Sequence, residues 1–369
     1  MTPFAQIYAA GRGLRPALER YKHHLSAASM VIGFGFDNVL LGPVDIPSTQ
    51  LIIAAYLAAA AAAIGLLHQA ETAGETGVLY RWRNLFPMAI QFALGSVWSG
   101  LLVFYSRSAV IAASWPFLLL LLAIFIGNEV LRRYVAQLVF STILLFFAVF
   151  SYAIFLVPIY VHAIGTWVFM LSGALAVLAF VAFLYALAAI GPAAFAPARL
   201  KIMSGTAAVF ALINLFYFVN ILPPLPLALA DSGVYHAVKK VGDSYVATAE
   251  GQNWYRNLIG DPVVHLKAGE AVYAYSSVFA PIRLSARISH RWEWYSEKSG
   301  RWLPRGTISF TVNGGRNGGY RGYTIKHDPA DGDWRVDIET RGGNLIGRIR
   351  FRVEHVDAAE APVLHTLAP

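Results

Sequence analysis

Residues 134–157 read YVAQLVFSTILLFFAVFSYAIFLV, a stretch without a single charged side chain. A helix needs about 20 apolar residues to cross a hydrocarbon core of roughly 30 Å. Arg132 and Arg133 stand immediately before this stretch, and Pro158 stands immediately after it. Both ends are therefore marked, and the sequence predicts a membrane-spanning helix here.

Stretches of the same kind lie on both sides of it. The seven candidate spans are 25–42, 48–68, 86–106, 109–130, 134–157, 166–190 and 204–226. Pro192, Pro197, Arg199 and Lys201 separate the last two. The whole chain is only 14% charged, against roughly 25% in soluble proteins. These features predict a transmembrane helical domain over 25–230.

Basic residues before Asp231 are distributed asymmetrically. With seven spans and a cytoplasmic N-terminal segment, 1–24, only Arg107 of the eleven basic residues falls on the far side. Bacterial membrane proteins concentrate Lys and Arg on cytoplasmic loops. The pattern predicts a C-terminal domain outside the cytoplasm. It also accounts for most of the net charge of +8, so we expect the lipid bilayer as a partner and no nucleic acid.

Polar side chains inside the spans are candidates for a functional site, because charges are costly within a bilayer. Asp37 and Arg107 are expected near the outer face, where they could pair. Asn128 and Glu129 are expected near the inner face, and Glu129 could pair with the arginines that follow it. Each set either fixes the helix packing, which we favour, or forms a substrate or proton site.

From Glu270 onward the apolar pattern changes to the alternation of half-buried strands. The candidate strands are 270–279, 284–295, 306–312, 320–327, 333–340 and 345–354. Short strands with frequent turns predict an all-β, immunoglobulin-like sandwich over 269–357. We expect a mixed connector over 231–268 before it and a C-terminal tail, 358–369, after it.

Alternation also assigns faces to the last two strands. Trp334, Val336 and Ile338 are predicted to point into the core, and Trp334 is expected to be buried. In the final strand, Leu345 is expected to share the core face with Gly347, Ile349, Phe351 and Val353. The opposite face carries Ile346, Arg348, Arg350, Arg352 and Glu354.

Arginines are the surface candidates of this domain. Arg348 and Arg350 either pair with the acidic residues of the neighbouring strand, which we favour, or bind an anionic glycan or lipid headgroup. Arg316 and Arg321 lie in the glycine-rich run 313–321. This run lacks the ending of a phosphate-binding loop, so backbone bends at the rim of the sandwich explain its glycines better.

Aromatic residues and a histidine form one face of another strand. Ile288, His290, Trp292 and Trp294 alternate there, and we expect them in the core rather than on a sugar-binding surface. His290 has no second ligand at metal-binding spacing, so a hydrogen-bonded structural role is favoured. The chain has no cysteine, and neither a metal nor another cofactor is expected.

Several segments resemble a known bacterial family, the domain of unknown function 2914. In the β region they are His290–Trp292, Gly314–Lys326, Gly332–Thr340 and Gly347–Phe351. In the membrane half they are Gly33–Asp37, Gln91–Gly95, Val103–Ser108, Gly127–Glu129, Leu222–Leu227 and Gly233–His236. The resemblance implies a protein of the bacterial envelope and no class of enzyme. Together with the charge pattern, it predicts a protein of the inner membrane with a periplasmic β domain.

Two functions are compatible with these features. The first is a binding, sensing or scaffolding protein whose sandwich contacts an envelope glycan, lipid or protein. The second is a transporter or membrane-embedded enzyme that uses Asp37, Arg107, Asn128 and Glu129. The sequence contains no recognisable catalytic or metal-binding cluster, so the first function is favoured.

Overall fold

The structure is a computed structural model. It describes residues 46–108, 111–130, 134, 137–224, 226–242, 244–250, 261–315, 319–357 and 363–367. At 76, 107, 108, 111–113, 129, 130 and 363–366 it describes only the backbone. The first candidate span, 25–42, with Asp37 in it, lies outside the described residues.

Six long helices form the apolar part of the described chain. They are α1 (Pro47–Ala73), α2 (Phe86–Ser108), α3 (Ile111–Val130), α4 (Leu138–Val161), α5 (Thr166–Ile190) and α6 (Pro192–Phe218). Five are long and apolar enough to cross a membrane, and α3 is apolar over the shorter stretch Ser114–Asn128. They correspond to the second through seventh candidate spans.

The last helix corrects one expected boundary. The sequence predicted a span over 204–226, but α6 begins at Pro192 and ends at Phe218. Pro192 is the first helical residue, where its missing N–H is not needed and its fixed φ is already helical. A proline that looked like a break therefore starts the helix. Asn220, with φ of 58°, then turns the chain after the helix end.

The chain packs as two compact units. The first comprises Met1–Val103, Leu120–Ala148 and Phe183–Met203, and the second comprises Phe104–Leu119, Val149–Ala182 and Ser204–Pro369. Small residues permit close packing in the first unit. A Cβ atom at Gly191 would lie 2.4 Å from Cγ2 of Thr72, so only glycine fits between these two segments.

Eleven strands follow the helices in the described part of the chain. They are β1 (Ala228–Tyr235), β2 (Ala237–Val241), β3 (Ser244–Ala249), β4 (Val263–Leu266), β5 (Ala271–Phe279), β6 (Ser285–Ser296), β7 (Arg301–Asn313), β8 (Tyr320–His327), β9 (Gly332–Thr340), β10 (Leu345–His355) and β11 (Val363–Leu367). The six strands predicted from alternation match β5 to β10 closely, because each has one buried face.

The first strands and the last one correct the expected domain limits. The segment 231–268, expected as a connector, contains most of β1 and all of β2, β3 and β4. The expected tail contains β11, which pairs with β3. The strands β1, β4 and β11 pair with strands that are distant in the sequence, and β2 and β3 form only a short hairpin. Local alternation could not reveal them.

The strands form three sheets. Five strands make one sheet in the order β4-β10-β9-β6-β7, and three make a second in the order β1-β5-β8. All pairs are antiparallel except β4 with β10. The chain passes from β5 to β6 and β7 in the other sheet, back to β8, and again to β9 and β10. This order resembles that of an immunoglobulin-like sandwich.

The core of the sandwich lies between these two sheets. Trp292, Val336 and Phe351 are among the buried side chains that fill it. Trp334 is only 2% exposed, so its predicted burial is confirmed. Ile346 corrects the predicted faces, because it is buried in the same core. A register shift between Leu345 and Gly347 inserts one residue there and reverses the alternation.

Candidate functional site

A cavity of about 390 Å³ lies within the second unit, between three helix ends and one end of the sandwich. Its helical side includes Ile154, Pro158, Val168, Phe169 and Tyr217 from α4, α5 and α6. Its other side includes Ser285, Ala286, Arg287, Thr340, Arg341 and Asn344 from the sandwich. One wall is therefore mainly apolar, and the opposite wall is polar and cationic.

The turn that follows α6 shapes this cavity. Asn220 adopts a left-handed conformation, and the backbone N–H of Leu222 donates to the carbonyl oxygen of Phe216 at 3.0 Å. The side-chain amide of Asn344 donates to Oδ1 of Asn220 at 2.8 Å. This hydrogen bond ties the turn between β9 and β10 to the end of α6.

Aromatic stacking fixes the helical wall. The rings of Phe169 and Tyr217 stack with centroids 3.8 Å apart. The hydroxyl of Tyr217 also donates to Oγ1 of Thr166, the first residue of α5, at 3.4 Å. The start of α5 and the end of α6 are thereby held together on the apolar side of the cavity.

Two arginines give the other wall its positive charge. Arg287 and Arg341 are exposed, and both line the cavity. Neither forms an ion pair with any residue that the structure describes. A concave site with an apolar wall and a few fixed polar groups is the usual form of a small-molecule site.

Four other arginines of the same sheet contrast with these two. On its outer face, Arg348 binds Asp337 through both carboxylate oxygens, at 2.6 and 2.8 Å. Three further arginines also contact carboxylates: Arg291 with Asp337, Arg335 with Glu293, and Arg352 with Asp333. Self-pairing, as favoured from the sequence, accounts for this face.

The surface arginines predicted from the sequence differ in their positions and contacts. Arg348 belongs to the ion-paired face described above, and Arg350 is exposed on the same strand. The backbone oxygen of Arg321 accepts a hydrogen bond from the hydroxyl of Tyr245 at 3.4 Å. Arg316 lies outside the described residues. None of the three described arginines lines the cavity.

The intramembrane candidates are only partly described. Asn128 is buried, and its side-chain amide donates to the backbone oxygen of Gln91 at 2.9 Å. It therefore joins α3 to α2 as a packing contact. At Arg107 and Glu129 only the helical backbone is described. Asp37 lies outside the described residues. The expected pair of Asp37 with Arg107 stays a prediction.

His290 has the structural role that the sequence favoured. Its Nε2 lies 2.8 Å from the hydroxyl oxygen of Ser276, and its Nδ1 lies 2.9 Å from that of Thr324. Trp292 also donates its indole N–H to Thr324 at 3.1 Å. This network joins β6 to β5 and β8 across the core and satisfies both ring nitrogens of a neutral imidazole.

Acid should destabilise the sandwich through His290. Burial lowers its pKa from 6.5 to about 4. Between these two pH values the unfolded chain binds more protons than the folded chain, so stability falls as the pH drops. We expect a loss of about 3 kcal/mol in unfolding free energy between pH 7 and pH 4. Denaturant unfolding at both pH values measures it.

The His290→Leu variant is the control for this titration, because it removes this imidazole and keeps the other ionisable groups of the domain. Its loss of stability on acidification should be smaller by the same amount. An identical pH dependence in the variant and in the wild-type protein would contradict the assignment.

A second histidine cluster was not predicted. Glu250 is buried and accepts from the ring Nε2 of His236 at 2.9 Å and the ring Nδ1 of His265 at 2.7 Å. Burial raises the pKa of Glu250, but these hydrogen bonds outweigh it, and the net pKa is lowered. Among the described residues no group of three or more His, Cys, Asp or Glu is arranged to hold a metal ion. Through these hydrogen bonds, Glu250, the residue that follows β3, is connected to His265 in β4.

The residues that form the cavity were also missed. Arg287 and Arg341 carry no motif, and they lie more than 50 positions apart in the sequence. The only available signal was the clustering of Pro223 and Pro224 after the last apolar span, which marks an ordered helix end. What makes these arginines notable is the lack of a carboxylate partner, and that depends on the fold.

The comparisons with known proteins found one family model and distantly similar solved structures. No curated protein matches the chain. An immunoglobulin-like protein from Pseudomonas aeruginosa is similar over 35% of this chain and 96% of its own, with 10% identity and a TM-score of 0.21. An alkylpurine DNA glycosylase from Pseudomonas fluorescens, solved bound to DNA with an abasic-site analogue, is similar over 85% of this chain and 100% of its own. Its identity is 9% and its TM-score is 0.23.

Scores this low carry no argument about fold or function, so the sandwich rests on its own sheets and core. The family match is more specific. It covers residues 285–353, from the start of β6 to the second half of β10. The segments of the membrane half that resemble the family lie outside this matched range. Over residues 285–353 the sandwich matches the family described as "Protein of unknown function (DUF2914)".

Proposed function

We propose that this protein is a binding protein of the bacterial inner membrane, with seven spans, a cytoplasmic N-terminus and a periplasmic β-sandwich. Its ligand occupies the cavity between the helix ends and the sandwich. The observation that carries this proposal is the cavity itself, in which an apolar wall faces two arginines without carboxylate partners. Its volume of about 390 Å³ falls in the range of small-molecule sites, roughly 300–1,000 Å³.

Blocking the cavity tests the proposal. Ser285 is exposed at its rim, so Ser285→Trp should fill the entrance without disturbing the core. We expect one tightly retained small molecule per chain when the wild-type protein is purified in mild detergent, and none in this variant. Native mass spectrometry measures the retained mass.

Ser299→Trp provides the matched control. Ser299 is exposed in the turn between β6 and β7 and does not line the cavity. This variant should retain the molecule as the wild-type protein does. Equal retention in the Ser285→Trp variant would count against the proposed site.

The proposed topology makes a separate prediction. An alkaline phosphatase fused after Pro369 should be active, and a green fluorescent protein fused there should be dark, because the positive-inside rule places this end in the periplasm. A phosphatase fused after Gly77, on the proposed cytoplasmic side, should be inactive. A bright fluorescent fusion after Pro369 would contradict seven spans with the N-terminus inside.

A second candidate function is transport or catalysis within the bilayer. It draws support from buried polar atoms of the first unit that have no hydrogen-bond partner among the described residues. They are Nε2 of His68, Nε1 of Trp98, Oγ of Ser99, Oδ1 of Asn128 and Oγ1 of Thr142. Loss of a cellular phenotype in Asn128→Leu, with normal amounts of folded protein, would favour this candidate over the first.

A further inference from the structure

Exposed aromatic side chains ring the helix ends that form the cavity. Tyr160 is the penultimate residue of α4 and is 66% exposed, and Trp167 is the second residue of α5 and is 58% exposed. Phe218, the last residue of α6, is also exposed. Aromatic residues gather at the boundary between hydrocarbon and water. The cavity therefore lies at the level of lipid headgroups, provided that these helices span the membrane as proposed above.

The two walls of the cavity match the two parts of a phospholipid. Ile154, Pro158 and Phe169 offer apolar surface that continues into the helices. Arg287 and Arg341 offer guanidinium groups that bind phosphate oxygens with two parallel hydrogen bonds. Neither has a carboxylate partner among the described residues, whereas Arg291, Arg335, Arg348 and Arg352 each have one.

The size of the cavity limits what it can enclose. A volume of about 390 Å³ lies near the low end of the range for small-molecule sites, roughly 300–1,000 Å³. A phosphate with its glycerol fits in this space, but two complete acyl chains do not. The chains would have to leave along the apolar wall and run beside the helices.

We propose that the cavity binds the headgroup of an anionic phospholipid, with the phosphate between Arg287 and Arg341 and the acyl chains beside α4 and α5. This inference rests on the proposed function and names its ligand class. Charge complementarity carries it, because an anionic group would supply the partner that these two arginines lack. The apolar wall selects a lipid over a soluble phosphate.

The test uses the full chain in detergent with two lipid probes, dioleoyl phosphatidylglycerol and dioleoyl phosphatidylcholine. We expect the wild-type protein to bind the anionic lipid about ten-fold more tightly or better, the scale of one charge-assisted hydrogen bond. The double variant Arg287→Gln, Arg341→Gln should lose this preference and keep its affinity for the zwitterionic lipid. Titration by native mass spectrometry measures each affinity.

Matched variants guard against indirect effects. Arg301 and Arg350 are exposed and do not line the cavity, so Arg301→Gln with Arg350→Gln should leave the preference unchanged. The charge-conserving pair Arg287→Lys and Arg341→Lys should retain part of it. Glycerol 3-phosphate should not compete with the lipid. Competition by this soluble phosphate at concentrations similar to those of the lipid would overturn the lipid as occupant.

The outcomes separate this inference from the proposed function. Equal affinity of the wild-type protein for both lipids, with both blocked by Ser285→Trp, would overturn the anionic ligand and leave a binding cavity. Equal loss in the Arg301 and Arg350 control would also overturn it. Lipid binding that is unaffected by Ser285→Trp would overturn both the cavity as the binding site and the anionic lipid as its ligand.

Discussion

Replacing Trp334 by alanine lowers the unfolding free energy of the sandwich by about 3–5 kcal/mol, as expected for a large buried aromatic residue. Trp334 is 2% exposed and lies edge-on to Trp292, with ring centroids 6.4 Å apart. Its indole N–H donates to the backbone oxygen of Ala330 at 2.8 Å. The substitution therefore leaves a cavity and removes a hydrogen bond. Hydrogen exchange of the β9 amides in the full chain reports the loss.

Trp302→Ala is the matched control for this substitution. Trp302 is half-buried on the edge strand β7, where it packs against Tyr295 and under the guanidinium of Arg335. Its removal should cost about 1 kcal/mol, as is typical outside the core. Similar losses for the two substitutions would mean that Trp334 does not anchor the core.

The Asp337→Ala substitution should cost about 3 kcal/mol, at the low end of the range for breaking a buried ion pair. The Asp337 side chain is 1% exposed, and Arg348 and Arg291 both bind it from the outer side of the sheet. Its removal leaves the partly buried guanidinium of Arg348 without a counter-charge, whereas Arg291 keeps contacts with Glu293 and Glu339. Denaturant unfolding at pH 7 measures the effect.

Asp333→Ala provides an unusually close control. Arg352 binds Asp333 through both carboxylate oxygens on the same two strands, but both side chains of that pair are more than 40% exposed. Exposed pairs contribute roughly 0–1 kcal/mol. The double change Asp337→Leu, Arg348→Met should recover part of the loss. Equal effects of Asp333→Ala and Asp337→Ala would show that burial does not set the strength of these pairs.

The helices and the strands β5 to β10 could be predicted because each carries its signal locally. A run of apolar residues such as Leu138–Val161 needs no partner to show that it is long and apolar enough to cross a bilayer. Alternation in β9 shows which side is buried. The missed start of α6 has a local cause too, because a proline ends one helix and begins another with equal ease.

The strands β1 and β4 could not be predicted, because their pairing partners are far away in the sequence, whereas β2 and β3 form a short local hairpin that was missed. Ala228 pairs with Phe279, and Val263 pairs with Arg352. Neither short strand has enough alternation to identify it. The inserted residue Ile346 is a similar case, because a bulge is set by the fit between two strands.

The candidate site could not be predicted from the sequence, for a related reason. All arginines of this sheet are chemically identical, and Arg291, Arg335, Arg348 and Arg352 are neutralised by carboxylates from neighbouring strands. Only the fold shows that Arg287 and Arg341 face a cavity instead. The residues proposed from the sequence were the conspicuous ones, intramembrane charges and a row of arginines, and among those described, Asn128 and Arg348 serve packing and pairing.

The link between the two sheets through His290 has a consequence for how this domain matures. Many immunoglobulin domains join their sheets with a disulfide behind a buried tryptophan. Here Ser276, Thr324 and Trp292 surround an imidazole in a chain without cysteine. The hydrogen bonds of this imidazole form as the two sheets come together, so they need no oxidant and no disulfide isomerase. The sandwich should therefore reach its final state equally fast in reducing and in oxidising surroundings.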